Sequence, residues 1–334
     1  MTTKETKSNI PPQGNAPTSL IRNGWFTETE SLWHGQKFSL ALENFSEESI
    51  LYSEQSEFQS ILVFKSVKYG NVLVLDGVLQ LTEKDEFSFH EMLVHTPLFS
   101  HSAPRNILLV GGGDGGALRE VCRHPDVENI TVVEIDPRVV SVTKRFFSTT
   151  MSFSFSDPRV TIVYDDAAAF LEKDESKYCY DVIIADSSDP VGPAETLFQP
   201  RFYEAMSEAL RPGGVICAVG ESMWTHLDLI GDIVACCADI FDSAEYATTM
   251  VPSYPCGQIG FVIAGKGRET RRMPLREPSS EMQSSLKWYN SAIHRAAFVL
   301  PQFLKEKLGD AFEDDDDGDD DDAADKCFAP CTIS

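Results

Sequence analysis

NILLVGGGDGGALREVCRH, residues 106–124, runs from an apolar stretch through a turn made almost wholly of glycine into a helix-like segment. Ile107 to Val110 offers no polar side chain to either face, as in a parallel strand covered on both sides by helices. From Gly111 to Gly116 only Asp114 is not glycine, so backbone N–H groups stand open to a nucleotide where the next helix begins. The spacing satisfies GxGxxG, although a glycine turn in any α/β sheet would read the same way. Glu134 sits near the end of the following run, ITVVEI, about twenty residues on, where an acid takes ribose hydroxyls.

Further along, VTIVY, YDVIIA, GVICAV and IGFVIA repeat this apolar character and alternate with helix-length amphipathic segments. That alternation predicts an α/β fold with a parallel, doubly wound sheet, whose ligands bind at the carboxyl ends of the strands. Upstream the rhythm changes. FSLAL, SILVFKS, NVLVL and VLQL are short and β-branched or alternating, with YGN and DG turns between them, which predicts an antiparallel unit of several hairpins. Apolar residues at helical spacing from Glu91 to Phe99 then lead to Pro104 and the main domain. The division expected is a disordered leader over 1–20, a β-hairpin domain over 21–88, a Rossmann-like domain over 89–308 and a disordered acidic tail over 309–334.

The chain has 334 residues, 42% of them hydrophobic, enough for an α/β core and a second, smaller unit. Its formal net charge is −24, and ten Asp and one Glu fall between Asp310 and Asp325. DDDDGDDDD in that stretch repels itself and predicts disorder. The remaining body is moderately acidic, which disfavours nucleic acid and favours cationic small molecules. Eight cysteines are scattered without CxxC pairs, the pattern of reduced thiols in a cytoplasmic protein and not of a zinc site. No apolar run reaches membrane-spanning length, and Met1 to Ile10 lacks the apolar centre of a signal peptide.

Acids cluster at strand ends. Asp114, inside the glycine turn, would repel a pyrophosphate and attract a cation, which argues against NAD and for a nucleoside bearing positive charge. An Asp at that place reads equally well as a helix cap. Asp165 and Asp166 follow VTIVY. Asp186 and Asp189 follow YDVIIA in DSSDPVGPAETLF, residues 186–198, whose prolines and glycine suit a loop folding over a site. One of that pair could equally be an Asx-turn acid. Several carboxylates gathered at one sheet edge are costly without a cationic ligand.

From about Trp25 to Leu308 the chain resembles the spermidine synthase family of aminopropyltransferases. The likeness rests on SLWHGQ, FQSILVFKS, YGNVLVLDGVLQLTEKDEF, HEM, LLVGGGDGGALREVCRHP, VVEID, DSSDPVGPAETLF, LRPGG, YPCGQIGF and WYNSAIHRAAFVLP. It implies a small antiparallel β domain before a methyltransferase-like Rossmann domain, assembled as a homodimer or homotetramer. The implied reaction moves the aminopropyl group of decarboxylated S-adenosylmethionine, a co-substrate, to putrescine. Spermidine and methylthioadenosine result, without metal or bound cofactor. By the same resemblance Gln59, His90, Asp114, Glu134, Asp166 and Ala167 hold the donor, with Glu134 on the ribose and Asp114 on the aminopropyl amine. Asp186 is then the proton acceptor, and Asp189 and Tyr254 help to place the diamine. The chemistry needs such a base, because an alkylamine of pKa about 10.4 must lose a proton before it attacks, at a cost of roughly 4 to 5 kcal/mol at pH 7.

Three positions depart from the family's pattern. Phe89 and Phe58 stand where Tyr is usual, and Val219 where Gln is frequent. Each removes a polar group near the acceptor, so weaker or altered acceptor binding is expected. Asp165 beside Asp166 also blurs which acid faces the adenine. Competing functions are spermine or thermospermine synthesis, putrescine N-methylation, and a catalytically weak regulatory paralogue. YPCGQIGF resembles the spermidine branch, an acid at Asp114 opposes a donor with its own carboxylate, and only Phe89 favours a weak paralogue. At the end of the chain Cys331–Ser334 spells a CaaX box, with Cys327 as a second lipid position, and implies farnesylation in a eukaryote. Chance gives the same four residues, and the preceding acids would repel an anionic membrane.

Overall fold

The computed structural model describes residues 17–28, 37–187, 196–267 and 271–309. Strands β1 (Ile21–Arg22), β2 (Trp25–Thr27) and β3 (Ser39–Ala41) form a small antiparallel sheet beside a four-stranded antiparallel meander. The meander comprises β4 (Ile50–Gln55), β5 (Ser60–Ser66), β6 (Gly70–Leu75) and β7 (Val78–Thr82). Asp76 and Gly77 close its last hairpin with positive φ at both positions, the two-residue turn that matches strand twist. The register set there pairs Leu75 with Val78 and sorts side chains by face. Leu62, Phe64, Val72 and Val74 pack with Phe26, Leu40 and Leu42 of the small sheet. Ile61, Val63, Leu73 and Leu81 point the other way, onto Val139, Val142 and Phe147 of the second domain. Burial on both faces explains why these strands read as near-continuous apolar runs. The sequence reading passes over β4, because ILYSEQ is half polar and none of its residues is fully buried.

Helix α1 (Glu86–Phe99) joins the two units, so the 88/89 division falls inside it. Every residue of α1 except Phe87 is buried. The sequence pattern starts this helix at Glu91, since Glu86, Ser88 and His90 break the apolar spacing, but their polar groups are satisfied inside the protein. Glu91 likewise accepts from the backbone N–H groups of Lys287, Trp288 and Tyr289 at 2.9, 2.8 and 2.8 Å.

The second domain holds seven strands in the order β10-β9-β8-β11-β12-β14-β13. They are β8 (Asn106–Gly111), β9 (Asn129–Glu134), β10 (Val160–Tyr164), β11 (Tyr180–Asp186), β12 (Leu210–Val219), β13 (Ser243–Met250) and β14 (Gln258–Gly265). The first five run parallel, while β14 is antiparallel to both β12 and β13. IGFVIA therefore belongs to the sheet but not to its parallel part, and β13 was not foreseen because SAEYATTM has no apolar run. Helices α2 (Gly116–Cys122), α3 (Pro137–Phe146), α4 (Ala167–Leu171), α5 (Pro200–Ala209) and α6 (Leu227–Ile240) cover the sheet. Ile107, Leu109, Val132 and Ile184 pack on the side of α1 and α2, and Leu108, Val110, Val133 and Ile183 on the side of α5 and α6. This period of two, apolar on both faces, is the doubly wound arrangement the sequence predicts. Strand order reverses between β8 and β11, which puts a ligand crevice at their carboxyl ends.

Three short helices end the described chain, α7 (Ser280–Ser285), α8 (Ser291–Ala297) and α9 (Gln302–Leu308). No helix among the described residues is long and apolar enough to cross a membrane. Pro17–Leu20 forms a 3-10 turn, and Leu20 packs on the β-domain core, so the leader cannot extend to residue 20. Residues 1–16, and 310–334 with the acidic run and CTIS, lie outside the described residues.

Candidate active site

At the β8/β11 switch point a cleft of about 1110 Å³, its mouth included, opens between the sheet edge and the β-meander. The structure brings Gln59, Phe89, His90, Asp114 and Glu134 to its walls, together with Asp166, Ala167, Asp186 and Tyr254. Asp189 lies outside the described residues. The meander adds Leu73, Leu75, Asp76, Gln80 and Leu81, which sequence reasoning did not single out.

Glycines fix the floor. Gly111 has φ +74, and a Cβ there would lie 2.1 Å from the Asp186 carbonyl oxygen, so only glycine lets β8 and β11 meet at their ends. Gly112 N–H donates to that same carbonyl at 3.3 Å. A Cβ on Gly113 would meet Glu134 Oε2 at 2.6 Å; instead Gly113 N–H donates to it at 3.1 Å. Glu134 Oε1 accepts from Asp136 N–H at 2.9 Å. Asp136 was also missed as a site residue, because as the cap before Pro137 it reads simply as a helix start. It caps α3, and its Oδ2 accepts from Ser56 Oγ (2.7 Å) and Gln59 Nε2 (3.2 Å), which locks Gln59 against the cleft.

Asp114 takes the helix-start role that its place in the sequence allows. Its Oδ1 accepts from Gly116 N–H at 2.5 Å, tying off the start of α2, and lies 3.5 Å from His90 Nε2. Asp166 caps α4 through Ala169 N–H at 2.8 Å, while Asp165 turns to Lys173 Nζ at 2.7 Å. That difference assigns Asp165 to a rim ion pair and leaves Asp166 at the head of α4.

His90, Asp114 and Asp186 each bring one ligand atom to within 4.8 Å of the others, a trio able to enclose a small cation, ammonium or metal. Buried Asp186 Oδ2 has no hydrogen-bond partner among the described residues. Burial, then the Asp114 and Glu134 charges, push Asp186 up to about 7. Burial also lifts Glu134 to about 7, with the Asp136 carboxylate adding to it and backbone N–H donors opposing. Burial works against a charged His90, but Asp114 and Glu86 on its two nitrogens outweigh it and raise the imidazole to about 10. Asp114 is held below the usual carboxylate range: burial opposes this, and His90 and Gly116 N–H overcome it.

A second chamber of about 460 Å³ continues past Phe89 and Tyr254. Val78, Leu79, Val219 and Ile259 make it apolar, and Glu28 supplies a carboxylate that accepts from Phe38 N–H (2.9 Å) and Leu79 N–H (3.0 Å). The Tyr254 hydroxyl donates to Gln80 O at 3.0 Å, and its ring lies 5.5 Å from that of Phe89. Phe89 and Val219 thus line this chamber with hydrocarbon where a Tyr or Gln would bring a polar atom.

A doubly wound sheet with a glycine turn, a ribose-type acid and an acidic centre at its switch point defines a Rossmann-type nucleoside enzyme. Residues 86–273 match the spermine/spermidine synthase domain, and residues 24–83 the spermidine synthase tetramerisation domain. The chain belongs to the spermine/spermidine synthase family, and it is an aminopropyltransferase. It is 48% identical over 288 residues to a spermidine synthase of Dictyostelium discoideum, covering 86% of this chain and 98% of that one. It is 44% identical to a spermine synthase of Arabidopsis thaliana, covering 87% and 85%. A crystal structure of a spermidine synthase in complex with the transition-state analogue AdoDATO superimposes with a TM-score of 0.77 at 34% identity, covering 85% of this chain and 94% of that one.

Proposed function

We propose that this enzyme transfers the aminopropyl group of decarboxylated S-adenosylmethionine to putrescine, releasing spermidine and methylthioadenosine. The observation that carries the reading is the buried Oδ2 of Asp186 beside Asp114, unpartnered among the described residues, a base poised near neutral pH at the edge of an acidic cleft. Donor ribose hydroxyls fit Glu134, whose backbone ties hold it rigid, and the donor's amine fits Asp114. Gln59, Asp166 and Ala167 line the nucleoside side, and the diamine enters past Phe89 and Tyr254.

In the reaction a protonated amine gives its proton to Asp186, and the freed lone pair attacks the carbon bound to sulfur. The carbon–sulfur bond breaks with its electrons going to sulfur, which loses its positive charge. Carboxylates that gripped the sulfonium itself would favour the ground state, so the useful contacts are on the uncharged ribose and on the terminal ammonium, neither of which changes charge in the step. Alignment of the two substrates then contributes more than attraction. The tetramerisation match favours an oligomer, and Trp25, Phe45 and Val67 expose 47%, 57% and 43% of their surface on the β-domain for such an assembly.

The test is product analysis. Purified protein is incubated with decarboxylated or intact S-adenosylmethionine and with putrescine, spermidine or cadaverine. Spermidine and methylthioadenosine from the decarboxylated donor and putrescine are expected; a methylated diamine, or spermine alone, would replace this reading.

A further inference from the structure

Behind the cleft, charged groups of alternating sign run through the interior between α1 and α2. Asp114 faces His90 Nε2 at 3.5 Å, and His90 Nδ1 meets Glu86 Oε2 at 2.7 Å. Arg119 grips both Glu86 oxygens, through Nη1 and Nη2 at 2.9 Å each, and its Nη1 also donates to Thr150 O at 2.8 Å. Arg119 Nε then meets Glu120 Oε1 at 2.5 Å, and Glu120 Oε2 meets His95 Nε2 at 3.1 Å. Glu86 and Arg119 are 4% and 7% exposed and do not line the cleft. Removing such a pair from water is expensive, and an apolar pair of the same volume would serve stability as well.

Their placement answers a local need. Asp114 shares its end of the cleft with Asp186 and Glu134, both acids, and the cation facing it there is the His90 ring. A partner on the other ring nitrogen fixes which way an imidazole points and keeps its Nε2–H turned toward Asp114, and Glu86 is that partner. Gly116 makes room, since a Cβ at that position would lie 2.2 Å from His90 Cε1.

We infer that Glu86 and Arg119 are positioning residues for aminopropyl transfer, a buried ion pair that fixes the His90 ring and, through it, the carboxylate of Asp114 on which the donor's amine rests. This rests on the function proposed above. The groups facing His90 are Glu86 on its own helix, Asp114 on the glycine turn, Arg119 on α2 and Asp186 at the end of β11. Among them Glu86 and Arg119 alone lie outside the cleft, so neither touches a substrate and both act through His90 and Asp114.

The experiment pairs kinetics with nitrogen-detected NMR of the histidine rings in the intact protein. In the wild type both His90 nitrogens should carry protons at pH 8. Glu86→Gln should lose that signature, and both Glu86→Gln and Arg119→Met should raise the donor KM about 10- to 100-fold, the range for a charge-assisted hydrogen bond. The acceptor KM should stay within about 2-fold, and Arg119→Lys should restore part of the donor effect. His124→Gln, altered at the far end of the chain beyond His95 (2.9 Å from it), controls for lost stability and should leave the donor KM unchanged. A neutral His90 ring in the wild type overturns the inference even where no variant folds. Folded Glu86→Gln and Arg119→Met with wild-type donor KM overturn it equally. Wild-type protein that transfers nothing would instead refute the proposed function, and the ring signature would still report on the ion pair.

Discussion

Replacing Asp186 by Asn removes the base and keeps the side chain's shape. At pH 7 only about one alkylamine in 2,500 is neutral, a deprotonation cost of roughly 4 to 5 kcal/mol that Asp186 meets by taking the proton. Without it the reaction draws on that small neutral fraction, so kcat/KM should fall about 10²- to 10⁴-fold at pH 7 and rise nearly tenfold per pH unit toward pH 10. Wild-type activity should instead rise with ionisation of Asp186 near 7 and then level off. Stability should move the other way. Because burial and Asp114 raise this carboxyl in the folded state, its contribution is fully present below about pH 4 and is lost as pH rises through about 7. Asn carries no such charge, so at pH 8 the variant should melt at or above the wild-type temperature. Initial rates across pH 6 to 10, with thermal melts at each pH, check both halves. A variant within tenfold of wild type at pH 7, or one with a parallel pH profile, would refute Asp186 as the base.

Gly116→Ala puts a methyl 2.2 Å from His90 Cε1 against a carbon contact of about 3.5 to 4.0 Å, so Tm should drop by about 2 to 12 °C and the donor KM should rise. Unchanged melting and binding would show that the His90 ring has room to move. Phe89→Tyr should lower the putrescine KM or raise kcat by about 2- to 10-fold, the worth of one neutral hydrogen bond; identical constants would separate Phe89 from acceptor binding. Glu134→Gln should raise the donor KM at least about 10-fold while leaving the putrescine KM alone, since the amide loses charge on the ribose and turns a donor toward Gly113 or Asp136 N–H. Steady-state rates with each substrate varied in turn check it.

What the sequence made legible were features whose physics is local. The glycine turn, Glu134, Asp114 and the DSSD acid all announce themselves because a strand end leaves its residues next to one another in space as well as in the chain. Asp165 and Asp166 could not be separated from sequence, since only the reach of Lys173 decides which turns to the rim. Glu86 and Arg119 stand 33 positions apart on two helices and read as ordinary surface charges; their pairing depends on how α1 crosses α2. The buried polar face of α1 hid five residues of helix for the same reason, because tertiary partners such as Arg119 satisfy groups that a pattern of apolar spacing counts against it. β13 escaped because a strand paired only at the sheet's edge needs no continuous apolar run.

The contact of Gly111 with the Asp186 carbonyl bears on how such an enzyme diversifies. Nucleoside turn and base ride on neighbouring strands with no slack between them, so a mutation that re-aims one displaces the other and selection removes it. Hairpin tips and the Phe89 chamber carry no such tether and accumulate change without harming the chemistry. Lineages descended from one ancestor should therefore keep the same group donor and drift apart in the length of amine they accept, and that is where engineering of new products has the freest hand.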